Sequence, residues 1–221
     1  MDADTLGAMN SVGDGFGWAF RDPAWAGKLL VQGLIVIIPI VGWIAMTGWL
    51  MMAFENARAG RNELPPAGFH LERGFPIFVV FFVYGLVLNV PAGVFLAAGG
   101  AFSGHSQNAF NAGTPLTSLG YLLSFAAGLL LRFLVAPLII HTYHRGFNGG
   151  FDIAGVWRLA TANVTNGVLA GVVIWVAAFI GGLGFVCCIG FIFTIPYENT
   201  ITAGAAAWLE RMQAPQATPA A

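Results

Sequence analysis

The sequence predicts an all-α polytopic membrane helix bundle, with six helical segments in three hairpins and short interfacial helices. Three observations predict it. Of 221 residues, 57% are hydrophobic and only 9% are charged, where a soluble domain carries about a quarter charged residues. No charged residue stands between Phe75 and Leu131, nor between Arg158 and Glu198, and apolar stretches of that length are membrane spans. The few basic residues also gather in some connections and are missing from others, which orients the spans.

The same composition narrows the function classes. A net charge of −1 with no basic stripe excludes a nucleic-acid partner and leaves the lipid bilayer as the surrounding medium. Of nine basic residues only Lys28 is lysine, and with 30 Gly this bias points to a GC-rich bacterial genome. Cys187 and Cys188 are adjacent in an apolar run, too few for a disulfide framework and wrongly spaced for zinc. Residues 1–20 are acidic and Gly-rich, without a basic start and an apolar core. They read as a mobile cytoplasmic tail and not as a secretory signal. Residues 21–212 read as a single membrane domain, and 213–221, with Pro215 and Pro219, as a disordered tail.

The first element starts at Asp22-Pro23, an N-cap followed by a proline whose missing N–H would be unpaired there anyway. Trp25 and Lys28 are interfacial anchors, the lysine able to snorkel toward headgroups. The apolar run from Leu29 to Phe54 holds Pro39-Ile40-Val41-Gly42 at its middle. As one helix it would reach about 39 Å, beyond a hydrocarbon core of ~30 Å. As a hairpin turning at 39–42, it starts a set of spans near 24–38, 43–57, 75–102, 117–140, 165–180 and 185–207. Then Arg21, Lys28, Arg58, Arg61, Arg73, Arg145, Arg158 and Arg211 all lie on the cytoplasmic side, and the outer connections hold no Lys or Arg. A single span would put Arg58, Arg61, Arg73, Arg145 and Arg158 outside, so the positive-inside rule selects the hairpin, with both termini cytoplasmic. Helices of ~15 residues reach only ~22 Å. The first hairpin is thus short for a full crossing, and its turn has to be covered by protein or wetted.

The second hairpin carries Asn89 and Pro91, where a kink is expected, and turns through a polar, uncharged loop at 103–116. The segment from His141 to Asn163 reads as cytoplasmic. From Asp152 it reads as an interfacial amphipathic helix, with Phe151, Val156, Trp157 and Leu159 toward lipid and Asp152 and Arg158 toward water. Trp157 and Arg158 are its anchors. The third hairpin is expected to turn at Gly181-Gly182-Leu183-Gly184. Hairpins one and three echo each other in Phe54-Glu55-Asn56 and Tyr197-Glu198-Asn199, which would make a parallel repeat with both copies starting inside.

The run Phe20-Arg21-Asp22-Pro23-Ala24-Trp25, with Lys28-Leu29-Leu30, Ile38-Pro39-Ile40-Val41-Gly42-Trp43, Gly48, Arg58, Gly60 and Glu63-Leu64-Pro65, resembles the prokaryotic membrane family catalogued as domain of unknown function 4013. The likeness is tight in the N-terminal third and carried by hydropathy elsewhere. The family pattern continues after Leu-Pro with an acidic residue and Trp. Here Pro66-Ala67-Gly68 stands instead, which puts the docking of that segment in question. The resemblance implies an integral membrane protein with no assigned activity and supplies no catalytic residues.

Charges inside a bilayer are costly and default to functional hypotheses. Arg132, Glu198 and Glu55 lie about 15, 13 and 12 residues into helices that all run inward, depths that agree within about 5 Å at ~1.5 Å per residue. With Asn89 they form a candidate buried polar layer, in which Arg132 would pair with Glu198 first and Glu55 second. This layer is a structural clamp, a site for a headgroup or proton, or a set of acids snorkelling to the interface. His141 and His144, at i and i+3, could hold a metal only with further ligands, and none is evident. No cofactor is implied. Gly120, Ser124 and Gly128, and Gly167 and Gly171, form small-residue faces for close helix packing. No nucleophile elbow, phosphate loop or HExxH motif is present. Three function classes remain: a non-enzymatic module binding or carrying a small solute or lipid, a structural or accessory subunit with a membrane protein partner, and a membrane-embedded enzyme.

Overall fold

A computed structural model of the chain describes residues 10–102, 107–186 and 189–213, the side chains of 107–112 aside. The regular elements among these residues are all helices. They are α1 (Asp14–Trp18, continued by a 3₁₀ turn, Ala19–Arg21), α2 (Trp25–Val36), α3 (Val41–Arg58), α4 (Leu71–Phe102), α5 (Gln107–Gly150), α6 (Ile153–Ala162), α7 (Val164–Val186) and α8 (Phe191–Gln213). Among the described residues, three stretches are long and apolar enough to cross a membrane: α4, the Gly113–Gly150 part of α5, and α7.

The helices group into two compact units. One runs up to Val80 and resumes at Phe133; the other is Phe81–Arg132. In the first unit α8 is the hub, touching α1, α2, α3 and α7. Every residue from Thr200 to Leu209 is buried there, most of them small. Small side chains let neighbouring backbones come close, and glycines on the neighbours complete the fit. A Cβ on Gly33 of α2 would collide with the Ile192 carbonyl of α8, and one on Gly15 of α1 would lie 3.2 Å from the Ile201 carbonyl. The α3–α4 crossing is as tight. A Cβ on Gly74 would meet the Ile44 carbonyl, and one on Gly48 would meet His70.

The break between α2 and α3 falls at residues 37–40, as the proline and glycine there predict. Its geometry is uncommon. Ile40 has φ 63 and ψ −60, and the Val41 N–H donates to the Pro39 carbonyl at 2.7 Å. That is a γ-turn of the strained kind, rare for a β-branched residue. Gly42 then packs against Ile35 and Val36 on α2, where no side chain fits.

The second unit is an antiparallel pair, α4 from Phe81 and α5 to Arg132. Gly99 faces Thr117 and Gly120 faces Leu96, while Ser124 Oγ donates to Asn89 Oδ1 at 3.1 Å. Gly120 and Ser124 thus serve the close packing expected of them, whereas Gly128 meets nothing within 4 Å. Phe82, Leu86, Val90 and Val94 on α4, and Tyr121, Leu122 and Phe125 on α5, stand exposed.

Several expected boundaries move. Residues 14–21 are helical instead of a loose tail, and Trp18 is 1% exposed. The polar outer loop gives way to α5 from Gln107 onward. Its residues 103–106 lie outside the described ones, as do 1–9, Cys187, Cys188 and the tail from 214. Helix continues through His141–Gly150, broken only at Gly146, whose φ of 67 suits glycine alone. The third turn is not at Gly181–Gly184. α7 runs on to Val186, and those glycines are contact points: Gly181 lies against the Glu198 carboxylate and Gly184 against Phe191. α6 begins where expected, with Asp152 capping the Gly155 N–H at 2.9 Å. Val156, however, is buried in protein, while Ile153 and Trp157 are exposed. Gly167 and Gly171 pack on Phe133 as the small-residue pattern predicts.

Candidate functional site

Two polar constructions occupy the first unit. The first is a strap, residues 61–70, which has no regular structure between α3 and α4. Backbone groups outside helices need other partners, and side chains of α1 to α3 supply them. Trp18 Nε1 donates to the Arg61 carbonyl at 2.9 Å, Asn56 Nδ2 to the Glu63 carbonyl at 2.8 Å and Trp49 Nε1 to the Pro65 carbonyl at 3.2 Å. The Gly68 N–H donates to Gln32 Oε1 at 2.9 Å. Leu64 is held from both sides: its N–H donates to Asp22 Oδ2 at 2.8 Å, and its carbonyl accepts from Lys28 Nζ at 2.6 Å.

Asp22 is the keystone. It is 3% exposed, pairs with Lys28 at 2.7 Å and accepts the Ala24 N–H at 2.7 Å. Burial pushes its carboxyl upward. The Lys28 ammonium and the Ala24 and Leu64 amides outweigh that, and the group stays below its ordinary value. Asp22 is thus not the N-cap expected of it, since α2 starts at Trp25 with Ala24 as its cap; it fastens the strap, and the Lys28 ammonium is directed to protein partners. Trp25, the companion anchor, packs edge-on against Phe20 at 4.9 Å.

The second construction is a charged end where α3, α4, α5 and α8 meet within this unit. Glu210 of α8 accepts from Arg58 Nε at 3.0 Å and pairs with His144 Nε2 at 2.5 Å. The Arg58 guanidinium also lies over the Tyr143 ring, 5.3 Å from its centre. Arg145 pairs with Asp152 at 2.9 Å. Glu55 pairs with Arg73 at 2.8 Å. Beside that last pair opens a cavity of about 290 Å³, lined among others by Met51, Glu55, Arg73, Thr142, Tyr143 and Phe147. Thr142 is 5% exposed, and its hydroxyl has no hydrogen-bond partner among the described residues. Arg73 also borders a cleft of about 480 Å³ with His70 and Glu72.

The polar residues singled out from the sequence fall in both units. Glu55 is at the cavity, with Arg73 as its partner. Glu198 sits against Gly181. Asn89 belongs to the other unit, bound to Ser124 and to the Gly85 carbonyl. Arg132 ends that same unit, and neither it nor Glu198 is a free charge. Trp157 and Arg158 are exposed on α6. Sequence reasoning missed Arg73, Thr142 and the Glu210 hub. Arg73 lies 18 positions from Glu55 and Arg58 lies 152 from Glu210, spacings with no local signature. His141 and His144 are not joined by further ligands: no group of three or more His, Cys, Asp or Glu among the described residues is placed to hold a metal.

A family model described as "Protein of unknown function (DUF4013)" matches residues 31–193, well over half of the chain. No curated protein and no solved structure matches.

Proposed function

This chain belongs to the DUF4013 family of unknown function, and from that premise we propose that it is an integral membrane protein that binds or carries a small solute or lipid without catalysing a reaction. The observation that carries this reading is the cavity beside Glu55 and Arg73, with a buried, unpartnered Thr142 hydroxyl in its wall. A mostly apolar cavity with a few convergent polar groups is the usual form of a small-molecule site. The cavity lies near the C-terminal end of α3 and the N-terminal end of α4, which the distribution of basic residues assigns to the cytoplasmic face. In this reading the helices form three hairpins in the inner membrane, with both termini in the cytoplasm. The layer of Arg132, Glu198, Glu55 and Asn89 remains part of the proposal on the strength of its depth in the sequence. Native mass spectrometry of the purified protein tests the site. The wild type should carry a non-covalent adduct that Arg73→Glu sheds. Identical spectra, or no adduct on the wild type, would sink the reading.

A second reading, an accessory subunit of a membrane complex, is favoured by the pairing of Arg58 with Glu210 and of Arg145 with Asp152. Charges so engaged suit a scaffold better than a pathway. Co-purification of one stoichiometric membrane partner at native expression level would support it.

A further inference from the structure

We propose that the Glu55–Arg73 pair opens to seat a primary ammonium–phosphate zwitterion, the phosphoethanolamine group, with the ammonium on Glu55 and the phosphate on Arg73. This rests on the cavity being a binding site and names what it binds. The pair is wet: its side chains are 58% exposed for Arg73 and 37% for Glu55. Exposed ion pairs contribute little, about 0–1 kcal/mol, so parting this one is cheap. A zwitterion replaces one such pair with two charge-assisted contacts.

The charges also select by exclusion. A simple anion that approaches Arg73 meets the Glu55 carboxylate, and a simple cation at Glu55 meets the guanidinium. Only a ligand carrying both signs a few bonds apart answers both. Arg presents the planar fork that suits phosphate. A quaternary ammonium is a poorer fit. It has no N–H to donate to the Glu55 carboxylate, so it forgoes the charge-assisted hydrogen bond that a primary ammonium makes there. The size agrees. A cavity of about 290 Å³ is at the lower limit of pockets that enclose whole drug-sized ligands, ~300–1,000 Å³. It suits a headgroup, with Met51 and Phe147 as apolar wall for the carbon chain attached to it.

The same zwitterion could arrive on a lipid or free in the cytoplasm, and the test separates these sources. The full-length protein is placed in nanodiscs with equal anionic lipid and either phosphatidylethanolamine or phosphatidylcholine, and retained lipid is counted by mass spectrometry after extraction. Wild-type protein should retain the ethanolamine lipid at least ten-fold over the choline lipid, and Glu55→Gln should bring that ratio near one. Lack of lipid retention, with a rise in melting temperature on adding O-phosphoethanolamine, would support the zwitterion from the soluble source. Equal retention of both lipids by the wild type overturns the headgroup assignment while leaving the cavity a binding site. Absence of both retention and stabilisation overturns the assignment and the binding reading together. The wild-type comparison stands even if the variant does not fold.

Discussion

Asp22 is a point of convergence in the first unit, because three donors from separate positions meet on it. Removing one member of a buried charged set strands the others, so Asp22→Ala should lower stability by about 2–4 kcal/mol. Thermal unfolding followed by tryptophan fluorescence in detergent would measure it. The pH dependence has a definite sign. A carboxyl held below its ordinary value of about 3.8 contributes stability above that pH and loses it as pH falls through the folded value. The gap between wild type and Asp22→Asn should stay constant from pH 8 to about 5 and narrow below about 4. A gap that widens on acidification would contradict the clamp. Reading Asp22 from its neighbours suggested only a cap, since Pro23 and the helical pattern after it are local. Leu64 lies 42 residues away, and no propensity encodes that partner.

At the scale of the helix, glycine is where sequence and structure part. The same residue marks a turn at Pro39–Gly42, a kink at Gly146 and a close crossing at Gly33, Gly74 and Gly181. Sequence reading found the first and took the Gly181–Gly184 cluster for another, because composition cannot tell an absent side chain needed for φ from one needed for space. The distinction is testable. Gly33→Ala and Gly74→Ala drive a Cβ into a backbone carbonyl and should each cost about 1–3 kcal/mol or more. Gly93→Ala, with nothing within 4 Å, should be neutral or gain up to about 1 kcal/mol from helix propensity. Equal losses at all three would refute the crossing account. Ile40 gives the opposite case. Its strained φ stores about 1–3 kcal/mol, against about 0.5–1 kcal/mol for the freedom a glycine loses on folding. Ile40 is 66% exposed and gives up little packing, so Ile40→Gly should raise the unfolding temperature by the equivalent of about 1 kcal/mol.

For the whole molecule, three of the six expected spans, 75–102, 117–140 and 165–180, fall on helices that are long and apolar enough among the described residues to cross a membrane, α4, α5 and α7. Composition was a poor guide to the centre. The hub of the first unit, α8, is rich in Ala and Thr over 200–207, and its burial depends on α1, α2 and α3, all distant in sequence, as well as on the preceding α7. Glu210 and its arginine and histidine meet only after the chain has folded back on itself. Orientation in the membrane is set by charge, and labelling tests it. With Cys187 and Cys188 replaced by Ala, an impermeant thiol reagent outside the cell should reach Asn108→Cys and miss Asn148→Cys until the membrane is opened. The reverse would overturn three inward-returning hairpins. The proposed Arg132–Glu198 pairing predicts that Arg132→Leu lowers folded yield more alone than together with Glu198→Gln, since the double change leaves no uncompensated carboxylate. Additive losses would exclude it.

The strap has a chemical corollary. Lys28 is the only lysine in the chain, so the molecule has a single side-chain amine, and that amine is tied to Asp22 and Leu64. Once the α-amino group is set aside by mapping the modified peptide, an amine-reactive reagent interrogates one event, the unseating of the strap. Acylation should be slow in the native protein and fast in Asp22→Ala. Any ligand or partner that loosens the segment would write its effect as a mass increment at one known position, without a label having been introduced.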